Sequence, residues 1–128
     1  MVIRHFALST FLASAIFVLL MLPPQNFGGP SSFSGVALEW VVHVILFMSF
    51  TLALIIAFKK QPSNRIRQNA ILFSIILGVG YSAFTEMAQK WADIGRTADV
   101  QDFLFDVVGC FTAILVFRLI FGKEFRYY

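Results

Sequence analysis

Four long apolar runs, separated by short polar stretches, fix what this chain of 128 residues can fold into. The first, Phe6 to Leu22, is about 17 residues of apolar and small side chains, near the minimum for crossing a bilayer core. The others run from about Val36 to Phe58, Ala70 to Phe84, and Asp99 or Val100 to Ile120. In hydrocarbon each backbone polar group needs a partner inside the protein, and a helix supplies one within the segment. The runs therefore predict an all-α polytopic membrane protein: one membrane domain over residues 1–128, a four-helix bundle with helices at about 6–22, 36–58, 70–88 and 99–120. Composition points the same way. Hydrophobic residues make up 59% of the chain and charged ones 13%, too apolar a balance for a soluble domain.

The connections read as breakers and caps. Pro23-Pro24 stops the first run, and the uncharged Pro/Gly/Ser-rich segment to Gly35 is a loop, with Ser34 placed to cap the second helix. A cleaved signal peptide is the rival reading of the first run. Its only A-x-A tripeptide, Ala13-Ser14-Ala15, lies inside the run, so the segment is expected to stay as a span. Lys59 to Arg67 is basic and contains Pro62, and is expected to be a solvated hairpin without helix. Ser74, Gly78 and Ser82 recur every four residues, a small-residue stripe that permits close helix contact, and Gly109 with Ala113 offers a second such face. Trp40 is expected at the membrane interface. Cys110 lies within an apolar run and reads as a small buried hydrophobe.

Charge sets the expected orientation. With four spans, the termini and the Lys59–Arg67 loop share one side. That side carries eight of the ten basic residues: Arg4, Lys59, Lys60, Arg65, Arg67, Arg118, Lys123 and Arg126. The opposite side holds six of the seven acids. The positive-inside rule then places both termini in the cytoplasm and the acids outside. The net charge of +3 belongs to this topology and not to nucleic-acid binding, since no groove-reading or stacking module is visible.

Those acids are concentrated. Between Glu86 and Gly109 lie Glu86, Asp93, Asp99, Asp102 and Asp106, with Lys90 and Arg96 among them, flanked by apolar sequence. Ionisable groups beside hydrocarbon are costly and usually functional. Glu39 and His43 share a face of the second helix, Glu86 and Gln89 of the third, and Asp99, Asp102 and Asp106 of the fourth. All three sets fall at the outer ends of their helices, so a bundle would gather them around one outward-facing pocket. Asp99 suits a helix start, whereas Asp106 lies a turn deeper and needs a partner or a proton. Arg96 is the partner the sequence offers, able to bridge two carboxylates.

Three arrangements fit this pocket. His43 with the carboxylates could act as general acid and base. The same groups could bind a divalent cation, although no cofactor is evident. Or they form an ion network that fixes helix packing. The inner halves of the helices lack ionisable residues, which favours a surface pocket over a proton or cation path, the reading of the chain as a small transporter subunit. A structural partner of a larger membrane enzyme is the remaining alternative.

The pattern E-x-x-Q, then R-x-x-D-x-x-D, then a polar residue and G-x-x-x-small resembles the VanZ-like family of small bacterial membrane proteins. Here it is Glu86, Gln89, Arg96, Asp99, Asp102, Asp106 and Gly109. The family also tends to carry an acid followed four residues later by a histidine, as Glu39 and His43 are. Trp40 stands where lysine is usual in the family, and Asp106 where asparagine is usual. The resemblance covers about Val36 to Gly109. It implies an envelope protein associated with tolerance to the glycopeptide teicoplanin, acting on or binding a lipid-linked glycan or the antibiotic itself, without supplying a reaction.

Overall fold

A computed structural model describes residues 3–22, 33–92 and 100–122. A 3-10 turn, Ile3–Phe6, leads into α1 (Ala7–Met21); α2 (Phe33–Lys59), α3 (Asn64–Gln68), α4 (Ala70–Ala92) and α5 (Val100–Phe121) follow. The fold is all-α, and no strand occurs among the described residues. Four helical segments are long and apolar enough to cross a membrane: Ile3–Met21, Leu38–Lys59, Ala70–Ala92 and Val100–Phe121. Large apolar side chains such as Phe11, Leu72, Phe111 and Leu119 point out of the bundle, as lipid-facing residues must.

Helix ends differ from the sequence reading in ways local chemistry explains. Leu22 is extended (φ −68°, ψ 139°), because the residue before a proline is driven out of the helical region. α2 starts at Phe33, so Ser34 lies inside the helix and not before it. The Lys59–Arg67 stretch is not all hairpin. Pro62 precedes α3 and so cannot obstruct it, the Arg67 amide bonds the Ser63 carbonyl at 3.0 Å, and Arg67 Nη2 donates to Asn64 Oδ1 at 2.6 Å. At the end of α2, Gln61 turns back and donates to the Ala57 carbonyl at 2.9 Å, satisfying a terminal acceptor. α4 runs on to Ala92, past the predicted 88, since Gln, Lys and Ala are good helix formers.

α2 is the centre of the bundle. It packs against α5, α4, α1 and the N-terminal 3-10 turn. One apolar cluster joins Ile16 and Leu20 of α1 to Phe47, Phe50 and Leu54 of α2 and Cys110 of α5. A second joins Ile55 to Ala113 and Phe117. The α4 stripe Ser74, Gly78 and Ser82 is fully inside. A side chain at Gly78 would meet Thr51 Oγ1 at 2.7 Å and Cys110 Sγ at 2.9 Å. At Gly109 the approach is closer still: an added Cβ would lie 2.5 Å from the Val44 carbonyl oxygen and 3.1 Å from the Met48 nitrogen. Backbone therefore rests on backbone where α5 crosses α2.

Candidate functional site

That crossing builds the site. Val44 follows His43 directly and Gly109 lies three residues after Asp106, so the close approach brings these two side chains together. His43 Nδ1 is 2.7 Å from Asp106 Oδ1. Asp106 is fully buried and His43 is 1% exposed. The other carboxylate oxygen of Asp106 accepts a 2.7 Å hydrogen bond from the hydroxyl of Ser82 on α4. Three helices thus meet on one carboxylate. An ionised carboxylate can only accept, so in that state Nδ1 carries the ring proton and Nε2 is left for other chemistry.

Nε2 faces Asp102, whose Oδ2 lies 4.0 Å away, beyond hydrogen-bond length. Glu39 sits one turn before His43. One ligand atom from each of Glu39, His43 and Asp102 falls within 4.8 Å of the others, and the same holds for His43, Glu86 and Asp106. Among the described residues these two overlapping sets, with His43 common to both, are the groups able to hold a cation. Trp40 of α2 stacks on Phe105 of α5, centroids 4.9 Å apart and planes within 17°, beside this polar centre. The indole thus packs on the neighbouring helix.

The sequence-derived residues fall into three groups. Glu39, His43, Glu86, Asp102 and Asp106 converge. Gln89 is buried, and its amide donates to the Leu20 carbonyl at 2.8 Å, tying α4 to the end of α1. Arg96 and Asp99 lie outside the described residues. Among the described residues the partners of Asp106 are His43 and Ser82; Arg96, the partner expected from sequence, lies outside them. Ser82 was legible only as a small residue in a packing stripe. Its spacing of four from Glu86 was the available signal that its hydroxyl shares the face of the acids.

A family profile described as VanZ/LLP1 matches residues 6–121. The chain belongs to the VanZ/LLP1 family. The match extends well beyond the Val36–Gly109 stretch that carries the motif and takes in all four spans. Membership and the four apolar helices together make it a bacterial multi-pass membrane protein. No curated protein and no solved structure matches the chain.

Proposed function

We propose that this VanZ/LLP1 protein acts at the outer face of the bacterial cytoplasmic membrane on a cell-envelope component, with His43 as the group that accepts and returns a proton. The observation that carries this reading is the Ser82–Asp106–His43 chain of 2.7 Å contacts. A carboxylate bonded to one imidazole nitrogen fixes the ring's tautomer and orientation and stabilises its cation, which is what a general base requires. Asp102 and Glu39 surround the other nitrogen with acid. An amine or hydroxyl donor is attracted there, and a bare phosphate is repelled. Of the envelope components the family suggests, an amine-bearing glycopeptide such as teicoplanin or the sugar hydroxyls of a lipid-linked glycan suit such a centre.

The test compares teicoplanin tolerance with thermal stability in the same set of variants. His43→Gln keeps a polar group of similar reach against Asp106 and removes the proton chemistry. It is expected to abolish tolerance while the melting temperature stays within a few degrees of wild type. Tolerance that follows stability across His43→Gln, Glu39→Gln and Glu86→Gln would leave only a packing role for the cluster.

A second reading is favoured by the Glu39–His43–Asp102 grouping. A divalent cation held there would use Nε2 as a ligand, with Asp106 orienting the ring from behind, an arrangement common at histidine metal sites. Elemental analysis of the purified protein separates the two readings. Stoichiometric metal that is lost in His43→Gln supports the cation, and metal-free protein that retains tolerance supports the base.

A further inference from the structure

At the opposite end of α2, about 25 Å from His43 along the helix axis, the molecule carries a second polar feature of the other sign. A cleft of about 390 Å³ opens between the start of α1 and the end of α2, lined by Arg4, His5, Leu8, Ala53, Ile56 and Lys60. Its volume lies within the range of small-molecule sites, about 300–1,000 Å³. The lining is divided. Arg4, His5 and Lys60 are exposed at the ends of the two candidate spans, where the headgroups of a bilayer would lie. Ile56 and Ala53 lie one and two turns further into the span of α2 and Leu8 one turn into that of α1, so the inner wall is apolar. Among the described residues no carboxylate lines the cleft.

We infer that this cleft is a binding site for an anionic phospholipid of the adjacent leaflet, its phosphate between Arg4 and Lys60 and the start of its acyl chain against Leu8 and Ile56. Charge complementarity supports the phosphate, because two cations from different elements line one cleft with no carboxylate among its described lining residues. The apolar wall continuing from the cations into the bilayer supports a lipid over a free phosphate or an acidic peptide, neither of which has a hydrocarbon part to cover it. Basic pockets between spans on one membrane face bind lipid headgroups for these reasons.

The experiment measures which lipid the full-length protein keeps when equilibrated in mixed micelles of phosphatidylglycerol and phosphatidylcholine, read by native mass spectrometry. Wild-type protein is expected to retain phosphatidylglycerol preferentially. A cation in contact with the bound headgroup is worth about fivefold in anionic-lipid binding, so Arg4→Gln with Lys60→Gln should cut the preference by about tenfold or more. Arg65→Gln with Arg67→Gln removes the same charge from the same face outside the cleft and should leave the preference within about twofold. Equal loss in both pairs would reduce the effect to diffuse charge and overturn the site, as would absence of preference in the wild type. Displacement of the retained phosphatidylglycerol by inorganic phosphate or by an acidic peptide at equal concentration would overturn the lipid as occupant. Should the glutamine pair fail to fold, Lys60→Gln alone is read on its exposed side chain. A loss of about fivefold supports the site and no change overturns it.

Discussion

Asp106 decides most at the scale of single residues. It is fully buried and receives His43 on one oxygen and Ser82 on the other. Replacing it by leucine would leave both donors buried without an acceptor, and losing one partner of such a buried pair costs about 3–5 kcal/mol. Asparagine can still accept from Nδ1–H through its carbonyl oxygen, while its amide meets the Ser82 oxygen, so Asp106→Asn should cost only about 1 kcal/mol. Unfolding of purified protein in mixed micelles measures both. If the leucine variant were as stable as the asparagine one, the carboxylate would not be holding three helices together. Replacing His43 and Asp106 jointly by leucine should regain part of the stability, since an apolar pair suits a dry interior, and should remain without teicoplanin tolerance.

Glycines set the spacing at the scale of elements, and they predict a graded series. At Gly109 an added methyl would meet the Val44 and Met48 backbone of α2, which cannot rotate away. Gly109→Ala should cost about 2–3 kcal/mol as overpacking and loosen the His43–Asp106 contact one turn above. At Gly78 the obstacles are the Thr51 and Cys110 side chains, which can shift, so alanine should cost less. At Gly80 nothing lies within 4 Å, and alanine there should be neutral or stabilising by up to about 1 kcal/mol. Melting temperatures in one detergent should rank the three variants in that order. The spans themselves were legible from sequence because the bilayer imposes length and apolarity on each of them. The gathering of Glu39, His43, Glu86, Asp102 and Asp106 was legible because helical spacing and loop parity place them at one end. Individual partners were not. Which helix face turns inward depends on where Gly109 lets α5 settle on α2, and hydropathy carries no trace of that. The capping amide of Gln89 was hidden for the same reason, the hydroxyl of Ser82 showed only as a spacing of four from Glu86, and α3 was hidden because a proline in a basic loop says only where a helix stops.

Polarity is divided between two ends at the scale of the whole molecule. The carboxylates and His43 lie where α2 begins, at the far ends of α4 and α5, and the cleft of Arg4, His5 and Lys60 lies where α2 finishes. Four spans bring the chain back to the side on which it starts. By the order of the spans in the sequence, eight of the ten basic residues are assigned to the cleft side and six of the seven acids to the other. Cytoplasmic loops retain basic residues, so the cleft is expected inside the cell and the His43 centre outside. An enzyme reporter that works only after export should be silent when fused after Tyr128 and active when inserted beside Asp93. A second reporter that fluoresces only in the cytoplasm should give the reverse. The two outcomes bear on function as well as topology. Envelope substrates and glycopeptides reach an outward site directly, whereas an inward-facing His43 would meet neither. Activity after Tyr128 and silence at Asp93 would therefore remove the envelope reading and turn the acid centre toward cytoplasmic ligands, while leaving the buried Ser82–Asp106–His43 contacts as they are.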